Sequence, residues 1–234
     1  MQVRERIGGA IGAVLAPAIA AVSRFRRART FHPRGLVFTG RSEPIIGGAF
    51  ANLGADLDGE ILVRCSGALW KRQRASERFD VLGIAIRFPR HDLLFATIKS
   101  PFTMVFSPFT TNAHDFLANQ FFAVAPFEVH HQDRVELRLV PIDPPVFEGA
   151  RDEKLNAAVE AGECIWHLEA RKTLTRHWHA VSRITFDAPA DVDQEALHFD
   201  AFRTDGNLVP VGVVHAIRRA VYAASQNARP DHAR

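Results

Sequence analysis

The sequence predicts an α+β fold: an antiparallel β-barrel with a helix at each end of the chain. Three observations predict it. Short runs of alternating apolar residues recur along the middle of the chain, turn-forming residues separate them, and the helix-like patterns fall mainly near the two ends.

The strands come first. Residues 34–40 (RGLVFTG), 57–66 (LDGEILVRCS), 79–88 (FDVLGIAIRF) and 92–98 (DLLFATI) alternate apolar and polar side chains or form short apolar runs between Gly, Asp and Pro. Residues 134–140 (RVELRLV), 164–172 (CIWHLEARK) and 179–186 (HAVSRITF) read the same way. Residues 101–122 are aromatic-rich, with helical spacing from Asn112 onward. A proline-rich loop at 141–147 precedes a short helix over 150–161. The tail from Pro210 to Arg229 has few breakers and apolar residues three and four apart, which predicts a helix.

Composition narrows the function. The net charge is +3, and 47% of the 234 residues are hydrophobic, enough for a full core. Neither zinc-finger spacing nor an aromatic RNA-binding motif is present, so nucleic acid is not an expected partner. Two cysteines, Cys65 and Cys164, are too few for a disulfide framework and point to a reducing compartment. Residues 7–23 are uncharged and rich in Ala and Gly, between a charged start and Arg24, Arg26, Arg27 and Arg29. A packed helix fits this segment best, while peripheral membrane contact and a secretory signal stay open. The expected setting is the cytoplasm, with a membrane surface as the alternative. The domain reading is an apolar extension over 1–28 and one domain over 29–234.

Two constellations carry chemistry. In the tail helix, Arg218, Tyr222, Gln226 and Arg229 fall near one face. A guanidinium one turn from a phenol favours its ionised form, and a phenolate suits ferric iron. Near the first strand, RTFHPRG (Arg29–Gly35) sets His32 ahead of a glycine, where an imidazole can move a proton between two oxygens. By themselves these residues leave open a solvated helix face and a structural histidine. The pairs His130–His131 and His177–His179 raise a hydrolase reading, but no carboxylate stands at metal-ligand spacing around them.

Taken in order, the segments resemble those of the haem catalases. RTFHPRG is similar to the distal-histidine segment, and VRCS (Val63–Ser66) to a strand with arginine and serine two apart. DVLGIAIRF is similar to the DxxGFAxxF strand, DLLFATIKSPF to the segment bearing the distal asparagine, and RRAVYAASQNAR to the proximal helix. FDAFRTDGNLVPVG resembles the approach to that helix. The resemblance runs from residue 29 to residue 229. It implies a catalase-like barrel that holds haem b (iron protoporphyrin IX), with Tyr222 as the iron's axial ligand and Arg218 its activating partner. It implies that Arg29, Arg64 and Arg229 meet the propionates, and that Phe109 lies over the haem face. His32 would be the distal acid–base residue and Ser66 its hydrogen-bond partner.

The implied activity is a catalase- or peroxidase-type oxidoreductase. It would use a small-molecule hydroperoxide, hydrogen peroxide or an organic or lipid one, together with a reductant. Two alternatives follow: a haem carrier or sensor with a vestigial pocket, and an enzyme that rearranges fatty-acid hydroperoxides. A haem-free barrel is the third class.

Departures from the family pattern matter. The distal asparagine falls on Ala96, with Thr97 next to it as the remaining polar candidate, and Cys65 replaces an aromatic. The chain is also shorter than ordinary catalases, so their interlocked tetramer is not expected; a simpler homo-oligomer stays open.

Overall fold

The computed structural model describes residues 35–67, 79–99, 106–130, 133–194, 196–201 and 203–211. All but Val211 belong to one compact unit, Phe31–Pro210. The two expected terminal helices, 7–23 and 210–229, lie outside the described residues apart from the first two positions of the latter.

Ten strands are described: β1 (Leu36–Pro44), β2 (Gly59–Gly67), β3 (Leu82–Arg87), β4 (Asp92–Ala96), β5 (Phe121–Ala123), β6 (Phe127–Val129), β7 (Asp133–Pro141), β8 (Ile165–Lys172), β9 (His179–Pro189) and β10 (Leu208–Pro210). Three helices accompany them: α1 (Ala51–Asp56), α2 (Ser107–Thr110) and α3 (Arg151–Glu160). Every pairing is antiparallel. The order β7-β5-β4-β3-β2-β1-β9-β8 closes through a β7–β8 pairing into an eight-stranded barrel. Closure leaves no free edge inside the ring. A ribbon of β6 and β10 hangs from β7, which pairs with β5 near Leu139 and with β6 near Val135.

Alternation along each strand decides what fills the barrel. Phe38, Ile61, Val63, Cys65, Leu82, Ile84, Ile86, Leu93 and Phe95 belong to one buried cluster. Its centre is aromatic. Phe38 stacks on Phe186, Phe186 on Trp166, and Trp166 meets Phe121 edge-on, each pair with centroids 5.7–5.9 Å apart. Burying each such side chain contributes about 1.5–3 kcal/mol.

Most expected strands and the helix at 150–161 appear within a few residues of their expected bounds. The helical reading from Asn112 does not hold. Asn119 donates its side-chain amide to the carbonyls of Asn112 and Asp115, and its amide oxygen accepts from the Asn112 N–H. Asn112 and Asp115 bond the N–H groups two residues on. Short polar side chains thus outcompete the helix for the backbone and turn the chain toward β5.

Candidate functional site

Of the expected site residues, Arg64 and Ser66 stand on the outer wall formed by β2, β3 and β4. Since Val63 and Cys65 point into the barrel, Arg64 and Ser66 point out. Register then builds two rows across the wall. One runs Val37–Arg64–Ala85–Leu94, and the next runs Ser66–Gly83–Ala96. Both are made almost entirely of small or aliphatic side chains, with one guanidinium and one hydroxyl among them. Ser66 is 6% exposed, Val37 5%, and Gly83 is buried, while Arg64, Ala85, Leu94 and Ala96 are partly exposed.

Gly35 ties the expected distal segment to this wall. Leu36 pairs with Cys65, so the chain reaches Gly35 opposite Ser66. A Cβ on Gly35 would lie 2.5 Å from the Cys65 carbonyl oxygen, 3.1 Å from Arg64 Nε and 3.1 Å from Ser66 Cβ. Only a glycine lets the strand begin this close to β2. His32 lies outside the described residues.

Thr97 is engaged elsewhere. Its N–H donates to the Leu82 carbonyl, and its hydroxyl oxygen accepts from the Leu82 N–H at 3.1 Å. Its oxygen lies 2.7 Å from that of Thr111, which is itself 2.8 Å from the Ser107 carbonyl. Thr97 thus accepts from Thr111 as well as from Leu82, and the Ser107 carbonyl also accepts from the Thr111 N–H and the Thr110 hydroxyl. The hydroxyl extends the β3–β4 ladder past its end and fastens α2 to it. Phe109 is 67% exposed and meets Phe79 at 5.0 Å between centroids; it does not join the two rows. Arg29, Arg218, Tyr222 and Arg229 lie outside the described residues. The structure therefore brings Arg64, Ser66 and the Ala96 position together, and leaves Thr97 and Phe109 apart from them.

A buried ion pair supports the end of this wall. Asp80, fully buried, lies 3.5 Å from Arg151 on α3, whose guanidinium also donates to the Ala113 carbonyl and sits over the Phe116 ring. A Cβ on Gly67 would fall 2.3 Å from the Asp80 carboxylate, so glycine at the end of β2 makes room for it. Below the wall, Arg87 grips Asp92 with two bonds, 2.8 and 3.0 Å, and Arg203 adds a third at 2.9 Å. Burial alone would raise the Asp92 carboxyl, but these bonds and the Asp200 N–H outweigh it and hold it below the usual value. The sequence reading missed both clusters; the Asp80 and Arg87 positions were quoted only inside a strand motif.

The remaining candidates are structural or solvated. Burial pushes the Cys65 thiol well up, and nearby Cys164 adds to the effect; Cys164 is itself raised to about 12 by burial. Neither is a ready thiolate. His130 sits 3.2 Å from Asp56, His177 and His179 are exposed, and His131 lies outside the described residues. Among the described residues no group of three or more His, Cys, Asp or Glu is placed to hold a metal ion. Nor is any helix among them long and apolar enough to cross a membrane.

Closed barrel and outer wall together define a class: this is the core fold of the catalases. A bacterial catalase matches with a TM-score of 0.58 at 15% identity, over 93% of this chain and 60% of its own. Catalase A from Saccharomyces cerevisiae matches with 0.59 at 14%, over 90% and 63%. A fungal catalase matches with 0.56 at 15%, over 86% and 59%. The chain thus spans about three-fifths of the length of each. No family model matches the sequence, and no curated protein does.

Proposed function

We propose that this chain is a haem-dependent oxidoreductase of the catalase–peroxidase kind, acting on a hydroperoxide with a separate reductant. One observation carries the reading: the low floor of Ser66, Gly83 and Ala96, bordered by Arg64, on the barrel wall. A flat macrocycle needs a floor without projecting side chains, and its carboxylates need a guanidinium fork. The described residues fit both needs. Haem would supply the redox chemistry when bound, and Tyr222 would be the residue that holds its iron.

The chain's own residues would then divide the work. Arg218 would hold Tyr222 as a phenolate by placing a cation beside the oxygen. Arg29, Arg64 and Arg229 would neutralise the propionates. His32 would take the proton from the substrate's terminal oxygen and return it to the departing one. Ser66, across from Gly35, is near enough in chain path to orient that imidazole.

Ala96 bears on which reaction follows. On this row it offers a methyl where the family pattern has a carboxamide, and the neighbouring Thr97 hydroxyl is bonded to Thr111 and to the Leu82 N–H. No side-chain donor from β4 therefore helps orient a second peroxide. That favours oxidation of a reductant, or rearrangement of a lipid hydroperoxide, over release of oxygen. It is also compatible with a haem carrier or sensor.

The test is the absorption spectrum of full-length protein produced with haem precursor. We expect a Soret band that shifts or vanishes in Tyr222→Phe, and hydroperoxide turnover that falls at least about a hundredfold in His32→Ala while the band stays. Colourless protein overturns the reading. A coloured protein without turnover leaves the carrier.

A further inference from the structure

The turn between β3 and β4 fastens the segment 203–210 to the barrel through two different contacts. The first is a clamp. Arg203 donates to the Phe88 and His91 carbonyls at 2.8 and 3.2 Å, to the Pro89 carbonyl, and to Asp92 at 2.9 Å. Asp92 returns its N–H to the Arg203 carbonyl at 3.2 Å. The second is a cluster of charges. Arg90 reaches Asp205 of the segment at 3.2 Å and Asp56 at the end of α1 at 3.4 Å. His130, just past β6, stands 3.2 Å from the other Asp56 oxygen, and its N–H donates to the Asn207 carbonyl at 2.7 Å.

His91 sits inside this second contact and is its odd member. The side chain is 1% exposed, with Nε2 3.3 Å from an Asp205 oxygen. Neither ring nitrogen nevertheless has a hydrogen-bond partner among the described residues. Most buried polar groups are paired, and a buried charge without good bonds costs more than a neutral ring. The carboxylate beside His91 is already held by Arg90, so an imidazolium would find its partner shared. Charged groups act on the ring from each piece of chain around it. Burial weighs most and disfavours the imidazolium; Asp205 and Asp56 favour it, and Arg90 and Arg203 oppose it. The balance leaves the His91 pKa below the ordinary value of 6.5.

We propose that His91 makes the contact between the β3–β4 turn and the segment 203–210 an acid-sensitive latch, closed while the ring is neutral and loosened when it takes a proton. The sign follows from linkage. A released segment returns the ring to water, where it takes a proton more readily, so opening binds protons. The latch is complete well above 6.5 and weakens as pH falls through that value towards the lower folded one. The Arg203–Asp92 clamp stays ionised over the same range, because the Asp92 carboxyl is held below 3.8. Acid therefore raises how often the segment opens without detaching it. The latch does not depend on haem: colourless protein with this pH dependence would overturn the proposed function and leave the latch standing.

The test is hydrogen–deuterium exchange of the full-length protein at about pH 7.5 and about pH 5.5, corrected for the intrinsic pH dependence of amide exchange. We expect protection across 203–210 to fall at least about threefold at the lower pH, with the β2–β3 ladder unchanged. His91→Gln, which does not ionise, should lose this pH dependence, whereas His130→Gln should keep it. Equal protection at the two pH values overturns the proposal. So does a fall that His91→Gln retains, which would give the effect to His130 or to another group. A titration of the His91 ring by NMR in the wild-type protein needs no variant: a midpoint below 6.5 is expected, and one at or above 6.5 overturns the latch.

Discussion

One row of side chains crosses the outer wall from β2 to β8, and its two halves are built to opposite rules. In register it reads Ser66, Gly83, Ala96, Phe122, Arg138, Glu169. The first half is nearly flat. The second covers itself. Arg138 binds Glu169 at 2.5 Å and lies 4.3 Å over the Trp178 ring, while Arg171 covers the same ring at 4.5 Å and pairs with Glu136 at 2.6 Å. Phe122 meets Trp178 edge-on. A strand face that must end against water can do so with its own charged and aromatic groups. On the first half Ser66 and Gly83 are buried and Ala96 is partly exposed, with no long side chain among them. The same barrel therefore carries one half covered by its own long side chains and one half made of small ones.

The largest effect should come from the border of the flat half. Arg87 and Asp92 face each other four paired positions along from Gly83 and Ala96, and Arg203 brings the segment leading to β10 onto them. Asp92→Asn removes the charge from a fully buried carboxylate that meets two guanidinium groups. The cost at neutral pH should be about 3 kcal/mol, toward the low end for a buried pair because both arginines are a third exposed. The sign of the pH dependence follows from the lowered carboxyl. Its contribution is complete above the ordinary value of 3.8 and drains away as pH falls through the lower folded value. Urea midpoints should therefore show a constant gap between wild type and variant well above 3.8, narrowing as the pH is taken below that value. A gap that persists in acid would mean lost packing, not lost charge.

Next comes the flat half itself. Ala96→Leu puts a branched side chain on the floor between Gly83 and Phe122. Because Ala96 is partly exposed, the melting temperature should move by no more than about 4 °C. Haem retention in a competition with apomyoglobin should nevertheless fall at least tenfold, about 1.4 kcal/mol. If retention is unchanged, nothing flat lies on this row and the contrast between the two halves has no functional content.

How much of this could be read beforehand follows a physical rule. Strands with one buried face announce themselves by alternation, so β2, β3, β7 and β8 were visible from Val63, Ile84, Leu137 and Leu168 and their neighbours. The Arg64–Ser66 pair was also legible, since spacing of two fixes a shared face. What alternation does not carry is registry between strands far apart in sequence. That Ala96 lies beside Gly83 and then Phe122 needed the closed sheet. Nor does a residue type reveal its hydrogen bonds. Thr97 looked available, and only the positions of Leu82 and Thr111 show its hydroxyl engaged. Phe109 looked like a ring for a pocket, and its exposure depends on where a single turn of helix lands. The short strands β5, β6 and β10 are too brief for a period to emerge.

The smallest effect, and the sharpest check on the comparison, is Trp178→Ala on the self-covering half. The ring receives two guanidinium groups, each such contact contributing about 0.5–1 kcal/mol near the surface. Its loss does not strand either cation, because Arg138 keeps Glu169 and Gln120 and Arg171 keeps Glu136. No buried charge is left unpaired, so the penalty stays near the sum of the two contacts, about 1–2 kcal/mol by chemical denaturation. Haem retention should not change, since nothing on this half is low enough for a planar ligand to rest on. A variant that loses haem in step with stability would mean that the cover over Trp178 and the floor at Ala96 act as one surface, and the division of the wall into two halves would fail.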